Sequence, residues 1–143
     1  MTPSEGEQFP VEQLPLELAG PAVVYFYPQD MTRGCELEAR GYDTLYDRFR
    51  ELGVEVVGVS IDSEERHREF AEHCGLRFPL VSDDGGVLTS GLGLMKDYGE
   101  YGSMAARVTF LLDSQGFIRK VWPVKDVTTH PEEALAAAAE LVA

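Results

Sequence analysis

Ala22-Val-Val-Tyr-Phe-Tyr27 is an unbroken run of β-branched and aromatic residues that Pro28 stops. A strand with one wet face alternates polar with apolar side chains, so a run without alternation belongs to a strand covered on both faces. Such a strand needs a layer above it and a layer below. Strands alternating with helices would give a sheet covered in this way.

The rest of the sequence supplies those layers. Leu37, Tyr42, Leu45, Tyr46, Phe49 and Leu52 recur at helical spacing from Cys35, and Gly53 ends the pattern. Val54 to Ser60 reads as a second strand. Asp62 and Ser63 offer caps for a helix running to about Cys74, with Glu65 placed as in a capping box opening on Asp62, and Gly75 as its stop. Pro79 to Ser82 reads as a third strand, followed by a brief helix within Asp83 to Leu94. Arg107 to Asp113 and Phe117 to Trp122 flank Ser114-Gln-Gly116 as a hairpin, and Pro131 to Val142 forms an alanine-rich helix. The expected fold is α/β, a mixed central sheet with helices on both faces, in a single domain spanning 1–143 with a loose lead-in over 1–21. The stretch holding Gly91, Gly93, Gly99 and Gly102 reads as a flexible connection, His130 as a helix cap, and Trp122 as core.

Charge narrows the function. With 25 acidic and 12 basic residues the net charge is −13, which repels phosphate backbones and anionic lipid surfaces, so neither nucleic acid nor membrane is an expected partner. The polar, acidic start from Met1 to Gln8 lacks the pattern of a secretory leader, pointing to a cytoplasmic, reducing compartment. Two cysteines, Cys35 and Cys74, are too few for a disulfide scaffold, so each is either packing or chemistry. His67, His73 and Cys74 match no common zinc spacing, and no metal or other cofactor is expected.

Cys35 falls at a helix start, over free backbone N–H groups and the positive end of the helix dipole, a setting that favours thiolate; Arg33 adds positive charge while Glu36 and Glu38 oppose it. Thiolate formation gives a limited gain, because nucleophilicity falls as a thiol becomes more acidic. A preorganised donor aimed at developing charge contributes about 10²–10³ in rate, so polarisation should outweigh activation.

Pro28-xxx-Thr32-xx-Cys35 matches the PxxxTxxC motif of the peroxiredoxins. With Val24-Tyr-Phe-Tyr-Pro28, Gly34-Cys35 and Glu38, Val57-Gly-Val-Ser60, Phe78-Pro-Leu-Val-Ser-Asp83, Arg107-x-Thr-Phe110 and Ile118-Arg-Lys-Val-Trp122, the chain from Val23 onward resembles the peroxiredoxin Q, or bacterioferritin comigratory protein, branch. The resemblance implies a thioredoxin-like fold and a thiol peroxidase acting on hydrogen peroxide and organic hydroperoxides, with thioredoxin or a similar thiol as reductant. It implies Cys35 as the peroxidatic cysteine, Thr32 as the hydroxyl that bonds thiolate and peroxide, and Pro28 as the shield of the pocket. Arg107 is implied as the guanidinium that orients the thiolate, and Glu38 as the carboxylate that holds Arg107. Members of the branch are often monomers.

The chain also departs from the pattern. Arg40 stands five residues after Cys35, where many members carry a resolving cysteine, and Arg33 replaces a proline. A second family position for that cysteine aligns near Ala71, and Cys74 lies one helical turn beyond. Cys74 is therefore either the resolving cysteine or a small buried residue at a helix end. If it is the latter, an external thiol resolves a one-cysteine enzyme. A thioredoxin-like oxidoreductase would need a CxxC pair, which the sequence lacks. A slowly oxidising redox-sensing module is the non-enzymatic alternative.

Overall fold

The computed structural model describes residues 2–143. Its main sheet has five strands: β1 (Ala22–Phe26), β2 (Glu55–Ser60), β3 (Leu80–Ser82), β6 (Val108–Leu112) and β7 (Ile118–Pro123), in the order β3-β2-β1-β6-β7. β1, β2 and β3 run parallel, while β6 pairs antiparallel with both β1 and β7. The sheet is thus mixed, with β1 at its centre.

Every residue of β1 is buried, as its unalternating sequence requires. Val23 and Tyr25 point into a cluster built with α1 (Arg33–Thr44), α2 (Tyr46–Glu51), α3 (Glu64–Cys74) and α5 (His130–Val142). Ala22, Val24 and Phe26 point into a second cluster built with the lead-in and α4 (Val87–Gly91). The covering is lopsided, with the longer helices all packing in the first cluster.

Several sequence expectations need correction. The lead-in is not loose: Phe9 and Leu14 are buried, and Gly6, Glu7 and Phe9 exchange backbone hydrogen bonds with Gly116 and Ile118. Apolar side chains at this spacing had no periodicity to reveal them. The single helix expected from Cys35 to Leu52 starts earlier, at Arg33, and is two helices joined at Leu45, whose ψ of 4° breaks the helical path. Ser63, not Asp62, caps α3, its Oγ accepting from the Arg66 N–H at 3.2 Å, because Asp62 is engaged elsewhere. The glycine-rich stretch is ordered into a second, two-stranded sheet of β4 (Met95–Asp97) and β5 (Ser103–Ala105). Finally, His130 is no cap. It is the first residue of α5, 2% exposed, with Nε2 against the Thr109 hydroxyl at 3.0 Å and Nδ1 against Glu133 at 2.9 Å.

Among the described residues, no helix is long and apolar enough to cross a membrane.

Candidate active site

Three segments meet at Cys35. The first is the loop leaving β1, which carries Pro28 and Thr32. Thr32 is the N-cap residue of α1, in extended conformation, and the helical ladder opens with the Glu36 N–H donating to the Thr32 carbonyl at 2.9 Å. The N–H groups of Arg33, Gly34 and Cys35 therefore have no acceptor inside the helix, and they frame the thiol with partial positive charge. Cys35 itself is 1% exposed.

The second segment is the start of β6. Phe26 pairs with Val108, so the antiparallel register lays Arg107 beside the end of β1. Its Nη2 donates to the Cys35 Sγ at 3.3 Å, and its Nη1 donates to Glu38 Oε1 at 2.7 Å. Burial opposes the charge on Arg107, but Cys35 and Glu38 together hold it cationic above its ordinary range.

The third segment is α1 itself. Glu38 lies one turn beyond Cys35 on the same face and is fully buried. Burial pushes its carboxyl up to about 7, against the lowering pull of Arg107. The second oxygen, Oε2, has no hydrogen-bond partner among the described residues, nor do the hydroxyls of Tyr25 and Tyr42. Glu38 thus binds Arg107 through one oxygen and leaves the other in a dry setting.

Gly34 is a residue whose part in the site the sequence did not disclose. A Cβ built on it would stand 3.2 Å from Arg107 Nη2, the same nitrogen that donates to Cys35. A side chain there would push the guanidinium back from the thiol by a few tenths of an ångström. Between Pro28 and Arg107 opens a cleft of about 440 Å³, also lined by Lys96, Tyr98, Val108, Pro123, Val124 and Lys125. Apolar walls with cations at hand can admit the organic part of a hydroperoxide.

Two predicted residues are placed less simply. The Thr32 hydroxyl donates to the Gln29 carbonyl at 2.8 Å rather than to Cys35, so its proton is committed and its oxygen is left as an acceptor. Cys74 closes α3, buried in the same apolar cluster as Cys35, and both are free thiols. Burial pushes the Cys74 thiol up. Helix α1 and the last turn of α3 are tied by Glu36 to His73 at 3.0 Å and by Arg40 to the His73 carbonyl at 3.3 Å. The residue that displaces the usual second cysteine thus bridges the two cysteine-bearing helices.

Residues 1–121 match the AhpC/TSA family. The chain is 36% identical over 133 residues to a putative peroxiredoxin Bcp of Coxiella burnetii, covering 90% of this chain and 85% of that one. It is 40% identical over 102 residues to the chloroplastic peroxiredoxin Q of Sedum lineare, covering 71% of this chain and about half, 54%, of that protein. The fold superposes on the bacterioferritin comigratory protein of Xanthomonas campestris, studied for its alkyl peroxide reduction activity, with a TM-score of 0.80, 33% identity, and coverage of 87% of this chain and 82% of that one.

Proposed function

The chain belongs to the AhpC/TSA family, in its peroxiredoxin Q and Bcp branch, a thiol-dependent peroxidase, and from that premise we propose that Cys35 is its peroxidatic cysteine. The Arg107 Nη2 to Cys35 Sγ contact at 3.3 Å carries this reading. A permanently charged fork held over a thiol serves both to stabilise the thiolate and to meet the charge that develops on a departing oxygen.

The step is a displacement at oxygen. The Cys35 sulfur forms a bond to the terminal oxygen of the hydroperoxide as the O–O bond breaks. Sulfur is oxidised by two electrons to the sulfenic acid, and the alkoxide or hydroxide leaves with a proton as alcohol or water. Arg107 and the N–H groups of the first helical turn stabilise that oxygen. Thr32, its own proton committed to Gln29, accepts the O–H of the incoming peroxide and aligns the O–O bond. Pro28 forms one wall of the cleft, and Glu38 fixes Arg107.

Cys74 then attacks the sulfenic acid, giving a Cys35–Cys74 disulfide and one water, and thioredoxin or a similar dithiol restores both thiols. In this reading the first turn of α1 unwinds and releases the Glu36–His73 tie, so that the two cysteines come within the ~7 Å between Cα atoms that a disulfide needs. The protein works as a monomer in the cytoplasm.

Mass spectrometry of peroxide-treated protein without reductant tests the resolving step. Loss of two hydrogens with a Cys35–Cys74 linked peptide is the expected result. Oxygen addition at Cys35 alone would make the chain a one-cysteine peroxidase. Cys35→Ser should abolish peroxide consumption, and retention of turnover in that variant would overturn the assignment of the nucleophile.

A further inference from the structure

Asp30 lies five residues before Cys35 and takes no direct part in the chemistry above, yet it is the most heavily bonded residue of the loop. It is 1% exposed. Its Oδ1 accepts from the Tyr27 hydroxyl at 2.6 Å and its Oδ2 lies 2.6 Å from His67 Nδ1. Its N–H donates to Asp62 Oδ2 at 2.9 Å, and its carbonyl accepts from Arg66 Nη2 at 3.2 Å. Each of its hydrogen-bonding groups is engaged. Met31, the next residue, is held at a φ of 65°, a left-handed conformation that costs a non-glycine residue on the order of 1–2 kcal/mol. A loop forced through such a turn needs its neighbours to hold it there.

His67 is the far end of that hold. It sits on α3, two turns before Cys74, and is 4% exposed. Its Nδ1 faces the Asp30 carboxylate and its Nε2 faces the Val81 carbonyl of β3 at 3.0 Å. Neither acceptor has a proton to give, so only an imidazole protonated on both nitrogens satisfies both contacts. Asp30, Asp62 and His67 offer ligand atoms within 4.8 Å of one another, but these atoms are already hydrogen-bonded, which marks the cluster as a structural clamp rather than a cation site.

We propose that the buried His67–Asp30 bond is the positioning device of the peroxidatic loop, pinning it to α3 and β3 so that Thr32 and the first turn of α1 meet Arg107. It acts through Cys35, and so rests on the peroxidase reading. Because Asp30 precedes Thr32 in the chain, the bond also defines a fixed end from which the first turn of α1 unwinds. Burial disfavours charge on His67, but the Asp30 carboxylate with the Val81 carbonyl and Asp62 hold its pKa above the ordinary histidine value. The charged or titratable groups around it are Asp30 and Tyr27 from the β1 side, Asp62 after β2, and Arg66 on α3; β3 presents the Val81 carbonyl. The doubly bonded clamp is therefore strongest while His67 is protonated and weakens as pH rises through the titration of His67, when one of its two contacts loses its proton.

The test is the second-order rate constant for oxidation of reduced protein by hydrogen peroxide, measured by competition against a reporter peroxidase from pH 5.5 to 9. It compares wild type, His67→Gln and Asp30→Asn, with amide hydrogen exchange over residues 29–34 in parallel. His67→Gln is expected to react at least tenfold more slowly at pH 6.5, with the deficit shrinking as pH rises, and to exchange its loop amides faster. Asp30→Asn, which keeps the shape and loses the charge, is expected to show the same trend to a smaller extent. A folded His67→Gln with wild-type rate at every pH, or with a deficit independent of pH, would overturn the proposal and leave the pair as a stability element. If His67→Gln does not fold, Asp30→Asn decides by the same criteria. If wild type itself consumes no peroxide, the peroxidase reading falls, and the exchange data alone judge the anchor: faster exchange in the variants supports it and unchanged exchange overturns it.

Discussion

Arg107 touches both the thiol and the carboxyl at the site, and it does so with two different nitrogens. Losing that fork removes the donor aimed at the leaving oxygen. Arg107→Ala is expected to lower the peroxide rate constant by about 10²–10³, and Arg107→Lys to fall between, because charge survives and geometry does not. Gly34→Ala sets two effects against each other. The extra methyl raises helix propensity by up to ~1 kcal/mol. It also meets Arg107 Nη2 at 3.2 Å and displaces it from the sulfur. The variant should melt no lower than wild type while reacting roughly tenfold more slowly, since displacements well under 1 Å suffice for such losses. Glu38 adds a pH signature. With its carboxyl raised to about 7 in the fold, the folded state binds more protons than the unfolded one between the ordinary carboxylate range and pH 7. Stability contributed by the neutral form is present at acid pH and lost as pH rises through that window. Melts between pH 4.5 and 8 should show the loss in wild type and a flatter profile in Glu38→Gln.

At the scale of elements, the contact between α1 and α5 is closer than most helix pairs allow. A Cβ on Gly41 would meet the Pro131 ring at 2.8 Å. The ring is rigid and belongs to the first turn of α5, so neither side can yield cheaply. Gly41→Ala gains helix propensity of up to ~1 kcal/mol, yet overpacking of this kind costs ~1–3 kcal/mol. The expected net result is a lower melting temperature, read by calorimetry. Because α5 braces α1 along Gly41, the braced part of α1 begins about two turns beyond Cys35. The first turn can then unwind for disulfide formation while the rest of the helix stays in place. The break at Leu45 was invisible in sequence, because apolar residues continue at helical spacing through it.

For the whole molecule, the proposed cycle is self-contained. Before peroxide treatment, sedimentation should give one species near 15.8 kDa, and the same after oxidation, since a Cys35–Cys74 bond joins residues of one chain. A disulfide-linked dimer on a non-reducing gel would show that resolution occurs between chains. The features readable from the residues alone are local: the buried centre of the sheet from an unalternating run, the helix order from apolar periodicity, and Pro28, Thr32 and Cys35 within eight consecutive residues. Arg107 and Glu38 were legible only through family resemblance, because nothing near them in the chain marks their role. The tertiary structure decided which atoms meet. The pairing of Phe26 with Val108 brings Arg107 across the sheet, the rotamer of Thr32 turns its proton to Gln29, and Asp30 finds His67 across 37 positions of chain. Periodicity records which face of an element is buried. It carries no information on the register between distant strands or on which of several acceptors a buried donor will choose, and those two choices assemble this site.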